Sequence, residues 1–264
     1  MESILSFTPR YVLACSATPH RSRDGMHALM DKVIGPDYIT LPHDKMDFVV
    51  FKTHTGFSPT RVETKTSPLD WSVWTASLVD SHERNLLIVK LTRRLLRYGR
   101  KIFILTGRKR HIPILENLLN DVGIPCAART REKRHYTDSP VLISNIHLSG
   151  TGFDEVNFCK DFNGARINTV ILATSIANPE LLEQTVGRSF RADDPMVIHL
   201  LDKDTTATRQ WREEARPWYL SYEADVIDNK HHMTKQKRGC AIKAFFRERG
   251  IEPMEPEIDF VLED

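Results

Sequence analysis

The chain has 264 residues, 41% of them hydrophobic and 27% charged, with a formal net charge of +2. That length supports one good core with a smaller appendage, and the composition is ordinary for a globular protein. So small a net charge says nothing by itself about nucleic acid, and any basic surface has to be local. Lys and Arg do cluster, at Arg93, Arg94, Arg97, Arg100 and Lys101, at Lys109 and Arg110, and at Arg129, Arg131, Lys133 and Arg134. The four cysteines, Cys15, Cys126, Cys159 and Cys240, form no C-x-x-C pair, which argues against a zinc ribbon or a disulfide framework and suits a reducing intracellular compartment. His231-His232 has no second ligand pair at zinc-like spacing and reads as solvated. Neither a signal peptide nor an apolar run of membrane-spanning length is present in the sequence, so no membrane association is expected.

Taken in chain order, "RYVLAC" (10–15) reads as a short buried strand followed at once by "SATP". Residues 21–80 are mixed, with Pro36, Pro42, Pro59 and Pro68 scattered through them and "FVVFKTH" (48–54) as their clear strand. The spacing of prolines predicts a linker or small extension here. From Ser81 the pattern sharpens. "RNLLIVKLTRRLLRYG" sets Leu87, Leu91, Leu95 and Tyr98 on one helical stripe with the arginines opposite and Gly99 as the stop. "KIFILTG" follows as a strand, "RHIPILENLLNDVG" as a helix closing at Gly123, then "PVLISNI" (140–146) and "NTVILAT" (168–174) as strands, and "PMVIHLLD" (195–202) as a last one. The strands are continuous apolar runs alternating with helices, the pattern of a parallel sheet covered on both faces. After Asp204, Trp211, Trp218, Tyr219 and Tyr222 sit among charges; they can stack on bases or pack a helical tail onto its domain. A basic stretch, the helical "CAIKAFFRERG" and an acidic end complete the chain.

The stretch "NPELLEQTVGRSFR" (178–191) begins as a helix should, with Asn178 as N-cap, Pro179 at the first position and Glu180 at the positive end of the dipole. Continued to its end, that helix would carry Gln184, Arg188 and Arg191 on one face. Gly187 would cost roughly 1 kcal/mol inside it relative to alanine, which points to a close approach by something else.

Ligands of an open parallel sheet sit at the carboxyl ends of its strands. Three segments follow strands at such ends: "SATPHR" (16–21), "LSGTGFDE" (148–155), with Gly150 and Gly152 for close approach and Asp154 beyond, and the helix at 178. In this order, "SATP", "SGTGFD" and "QTVGRSFR" resemble motifs III, V and VI of superfamily 2 helicases. "LVDSHERNLLIVKL" and "GRKIFILTGRKRH" look like the start of the second RecA-like domain, and "ACSATPHRSRDGM" is similar to the version found in large DNA viruses and their phage relatives.

That resemblance implies an α/β fold, a RecA-like open parallel sheet with helices on both faces, plus a helical C-terminal tail. It divides the chain into a remnant of a first RecA-like domain (1–20), an inter-domain extension (21–80), the second RecA-like domain (81–204) and a tail (205–264). It implies that Arg191 acts as an arginine finger on the γ-phosphate, with Arg188 beside it and Gln184 orienting these groups or the attacking water. Gly152, Asp154 and Gly187 would lie at the nucleotide, Ser16, Ala17 and Thr18 would couple two domains, and Thr106, Arg108 and Asn145 would contact nucleic acid. Asn145 departs from the Ser or Thr usual in motif V, and "EVNFCKDFNGARI" is longer than the family leads one to expect. No G-x-x-x-x-G-K-[ST] loop and no D-E-x-H box occur in these residues. ATP and Mg2+ are therefore expected to be held mainly by a missing N-terminal RecA-like half, with DNA as the track and RNA left open. The expected function is the C-terminal motor half of a helicase or translocase. The alternatives are a truncated, non-catalytic module that binds nucleic acid or a partner, and a translocase coupled to a nuclease or to transcription.

Overall fold

The structure, a computed structural model, describes residues 10–11, 26–35, 37, 39, 47–65, 67–149, 153–176, 178–187, 191–230 and 240–254. The strand expected at 10–15 lies almost wholly outside them, as do His231 and His232. The chain divides into two units, Met1–Asp44 and Lys45–Asp264. In the first, one helix is described, α1 (Met26–Ile34), followed by Gly35 at φ +113.

The second unit is built on a seven-stranded, wholly parallel sheet. Its strands are β1 (Val49–His54), β2 (Ile102–Thr106), β3 (Cys126–Arg129), β4 (Val141–Asn145), β5 (Thr169–Leu172), β6 (Met196–Leu201) and β7 (Asp225–Asn229), in the spatial order β3-β4-β2-β5-β6-β1-β7. Helices α2 (Trp71–Asp80) and α3 (His82–Leu96) come between β1 and β2, α4 (His111–Asp121) between β2 and β3, and α5 (Ile146–Ser149) and α6 (Glu155–Phe158) after β4. Helix α7 (Pro179–Val186) follows β5. Helix α8 (Thr205–Gln210), a π-helical segment (Trp211–Ala215) and α9 (Arg216–Ser221) run on from β6 towards β7, and α10 (Ala241–Glu248) comes last.

Period-two alternation sorts each apolar strand into two faces. Val50, Phe103, Leu105, Val170, Leu172 and Val197 turn to one side, where Trp74 and Leu78 of α2, Leu182 and Val186 of α7, and Trp211 and Tyr219 cover them. Phe51, Ile102, Ile104, Ile143, Ile171 and Ile198 turn to the other, under the Leu87–Leu91–Leu95 stripe of α3, Leu115 and Leu119 of α4, and Phe245 and Phe246 of α10. The expected open α/β sheet with helices on both faces is therefore what the chain forms.

The sheet reaches beyond residues 81–204 at both ends. Strand β1, read as part of an extension, lies between β6 and β7, with Val49 opposite Met196 and Asp225. Its run of Phe48, Val49, Val50 and Phe51 is buried, and an apolar strand of that kind needs cover on both faces. Strand β7 comes from the segment read as tail; its partly polar sequence fits an edge position. Trp211, Trp218 and Tyr219 of the same segment are buried, and Tyr219 meets His199 Nδ1 at 3.0 Å beneath them. These rings pack the tail onto the sheet. Burial pushes the His199 imidazole down to about 3, so it is neutral at pH 7.

At the carboxyl edge, a buried ion pair joins four segments. Arg84 of α3 donates from Nε to Asp202 Oδ1 at 2.8 Å and from Nη2 to Oδ2 at 3.1 Å, and its Nη1 donates to the Ala173 carbonyl at 3.1 Å. Thr55, just past β1, donates to the same carboxylate at 2.7 Å. Both charged side chains are at most 1% exposed. Replacing Arg84 by alanine strands the carboxylate without its partner, and the expected loss is about 3–5 kcal/mol of unfolding free energy in urea titrations of the full chain. A loss below about 1 kcal/mol would mean that water replaces the guanidinium.

Candidate nucleotide and nucleic-acid edge

All seven strands of the sheet point the same way, so the turns that follow β2, β4 and β5 share its carboxyl edge. Helix α7 starts there as expected. Asn178 accepts from the N–H groups of Glu180 at 2.8 Å and Leu181 at 3.1 Å, with Pro179 in the first turn. The helix stops earlier than the expected 191, however. Gly187 is its C-cap, in right-handed helical geometry at φ −56, so its cost inside a helix does not arise. Arg191 therefore lies beyond the helix rather than on a continuous face with Gln184. Arg188 lies outside the described residues, as do Gly150, Gly152, Ser16, Ala17 and Thr18.

Arg191 and Asp154, from loops after different strands, meet: Arg191 Nη1 donates to Asp154 Oδ2 at 2.5 Å. The other oxygen, Oδ1, accepts from the Val156 N–H at 3.0 Å, capping α6, and from Arg166 Nη1 at 3.1 Å. Asp154 is 29% exposed, Arg166 28% and Arg191 40%, so the cluster is open to solvent on one side. Burial raises the Asp154 pKa, but the Val156 N–H and the two guanidinium groups outweigh it and hold the carboxyl below its ordinary value. Gln184 is partly exposed on α7, and among the described residues no hydrogen bond or ion pair joins it to this cluster.

Arg166 has no counterpart among the motif residues. It arrives on the long segment after Asp154, which is fastened at both ends. Glu155 is buried and accepts from the Ile167 N–H with both oxygens at 3.1 Å, while Lys101 reaches Asp138 at 2.6 Å and the Ala165 carbonyl at 2.8 Å. Tyr136 and Cys159 form an isolated parallel bridge across the segment. The signal available in the sequence was slight: an arginine just after the "NG" turn, where Gly164 takes φ +94.

The residues expected at nucleic acid separate. Thr106 is fully buried, and its hydroxyl faces the carbonyl oxygens of Arg108 at 3.2 Å and Ser144 at 3.3 Å, so it shapes the loop from within. Asn145 is paired in register with Thr106 and caps the next turn, accepting from the His147 N–H at 3.0 Å. Arg108 is half-buried and donates from Nε to Thr75 Oγ1 at 2.8 Å. Gly107 is needed for this approach, since a Cβ there would stand 2.6 Å from Thr174 Oγ1.

The basic clusters also divide. Arg100 precedes β2 and Arg108 follows it, so the run from 93 to 110 is split between opposite edges of the sheet. Arg100 is buried against Asp194, Thr169 and the Asn168 carbonyl. Arg129 is buried over Phe158 at 4.3 Å and donates to backbone carbonyls. Both serve the core rather than a phosphate.

Among the described residues no group of three or more His, Cys, Asp or Glu converges on a metal position, and no helix is long and apolar enough to cross a membrane.

No family model matches the chain. By sequence it is similar to 161L of Invertebrate iridescent virus 6, provisionally named a helicase, with 27% identity over 239 residues that cover 81% of this chain and 50% of the relative. It is also similar to 109L of Invertebrate iridescent virus 3, named in the same way, with 43% identity over 58 residues, 22% of this chain and 17% of that one. The chain thus spans half or less of the length of the curated relatives it matches. Among solved structures, T4 UvsW aligns with a TM-score of 0.48 and 14% identity over 70% of this chain and 41% of its own. S. cerevisiae Dbp5 bound to RNA and ADP BeF3 aligns with a TM-score of 0.48 and 13% identity over 76% of this chain and 47% of its own. The motif resemblance and the sequence similarity lead to the same place, viral proteins named as helicases.

The depressed Asp154 pKa has a sign that can be tested. A folded value below the unfolded one means that the pairing stabilises the fold at neutral pH and that this contribution is lost as pH falls through the folded value, below the ordinary carboxylate value of about 3.9. Thermal melts of the protein and of Asp154→Asn should differ at pH 7 and converge towards about pH 2. A gap that does not narrow would assign the effect of the substitution to something other than the charge.

Proposed function

We propose that this chain is the second RecA-like half of an ATP-dependent superfamily 2 DNA helicase or translocase, supplying motif V and motif VI residues to ATP bound between it and a first RecA-like half. The observation that supports this most is the contact of Arg191 with Asp154, residues 37 apart in sequence that belong to different motifs. ATP is the substrate. Water attacks the γ-phosphorus, the bond to the β–γ bridging oxygen breaks, and ADP and phosphate leave. Such transfer depends on positioning and on stabilising charge, for which Arg191 is suited and Arg188 and Gln184 are its neighbours in sequence.

On this reading the resting contact is exchanged when the nucleotide arrives. The Arg191 guanidinium moves from a carboxylate to a phosphate, both of which accept its fork of N–H donors. Asp154 keeps the Val156 N–H and Arg166, and its freed oxygen can accept from a ribose hydroxyl. Mg2+ and the β- and γ-phosphates fall to the other half, since these 264 residues carry neither a phosphate loop nor a D-E-x-H box. DNA would bind at the carboxyl edge of the sheet, beside Arg108.

ATP turnover should be at background for the chain alone. It should become DNA-stimulated on mixing with a half that carries the phosphate loop, and fall by about 10³ to 10⁵ when the chain bears Arg191→Ala. Turnover by the chain alone that Arg191→Ala abolishes would overturn the division of labour. Absence of rescue together with salt-sensitive DNA binding would favour a non-catalytic binding module.

A further inference from the structure

Three of the four tryptophans are buried, Trp74 at 1%, Trp211 at 5% and Trp218 at 9%, whereas Trp71 is 46% exposed. It opens α2, where Asp70 caps the helix by accepting from the N–H groups of Ser72 and Val73. Its indole meets the buried Trp74 edge to face, with centroids 5.4 Å apart, which holds one flank of the ring and leaves the rest in solvent.

The helix turn that carries this ring is tied to the loop after β2. Arg108 donates to Thr75 Oγ1 from Nε at 2.8 Å and from Nη2 at 2.5 Å, and reaches Ser72 Oγ at 3.5 Å. Thr75 in turn donates to the Trp71 carbonyl at 2.6 Å. Trp71 and Thr75 are four apart and share one face of the helix. A chain of contacts therefore runs from the guanidinium through one hydroxyl to the backbone of the tryptophan. Arg108 rests on hydroxyls, and no carboxylate pairs with it among the described residues. Arg110 is differently placed, paired with Asp80 at 2.8 Å.

We infer that Trp71 is a base-stacking platform for single-stranded nucleic acid, with Arg108 taking the adjoining phosphate. An exposed indole braced by a second ring, beside a guanidinium that rests on hydroxyls at the carboxyl edge, suits a polymer that alternates planar bases with phosphates. Every base has a π-face, so the platform tolerates any sequence. The inference rests on the nucleic-acid reading above and adds a residue outside the motifs.

The test is binding of a fluorescein-labelled oligo-dT, with oligo-U in parallel, to the full chain over a range of salt. Trp71→Ala should weaken binding about 5- to 150-fold while leaving the slope of log Kd against log salt unchanged, and Trp71→Phe should restore most of the affinity. Arg108→Ala should lower that slope by about 0.7, the value for one phosphate contact on a single strand. Tryptophan emission should be quenched on binding, and less so in Trp71→Phe. Circular dichroism of each variant verifies folding. Affinity unchanged in Trp71→Ala but weakened in Arg108→Ala would overturn the platform and leave the nucleic-acid edge standing. No effect of either would remove nucleic acid from this edge, and the platform with it.

Discussion

The buried pair of Arg84 and Asp202 is the constraint on which the carboxyl edge depends. A guanidinium and a carboxylate taken out of water each carry a desolvation cost of several kcal/mol, which close geometry and further hydrogen bonds must offset. Here every contact that offsets the cost also binds a different segment. Arg84 belongs to α3, Asp202 follows β6, the Ala173 carbonyl follows β5 and Thr55 follows β1. The geometry that keeps the charges satisfied therefore fixes where three strands end. Thr174, next to Ala173, is the residue that leaves no room for a side chain at Gly107, so the loop after β2 takes its place from the same anchor. Arg108 and, through Thr75, the first turn of α2 follow from that placement.

Asp154 illustrates a different arrangement of charge, in which one carboxylate faces two guanidinium groups. A carboxylate that relied on Arg191 alone would be left short of a partner whenever that arginine moved, and a hydrogen bond to a charged group is worth about 1.5–3 kcal/mol. Arg166 and the Val156 N–H occupy the other oxygen, so Asp154 stays satisfied with or without Arg191. That accounts for the length of the segment from Glu155 to Ile167. Its two ends are closed by a carboxylate gripping the Ile167 N–H, which delivers the adjacent Arg166 to a fixed position.

Most of the architecture was legible because it depends on apolar periodicity. Phe103 and Ile104 are neighbours in sequence yet sit on opposite faces of the sheet, as a short apolar run does when it forms a strand covered twice. Strand β1 obeys the same rule and reads as a strand, but the prolines around it assigned it to an extension instead of the sheet, and β7 does not obey the rule at all, because an edge strand half open to solvent needs no apolar run. The site was legible only in part. Motif spacing pointed to Asp154 and Arg191 but not to their contact, which depends on loops after two non-adjacent strands. Thr106 shows the opposite failure: the strand's alternation turned its hydroxyl inward, against Ser144, where no ligand could use it.

The basic clusters show why composition alone is a poor guide to a binding surface. Arg100 and Arg108 are eight positions apart and look like one patch, but five of the intervening residues are a strand, which advances roughly 3.3 Å per residue. That distance carries the chain from the amino edge of the sheet to the carboxyl edge, so the two arginines do not form one patch. Before the strand a charge is available to staple the layers, as Arg100 does with Asp194; after the strand it is available to the edge where ligands collect, as Arg108 is. Arg129 adds a further condition, since it ends β3 on the ligand side and still turns inward over Phe158. Strand polarity makes a surface role possible, and an open flank, such as Trp71 provides beside Arg108, is what remains to complete it.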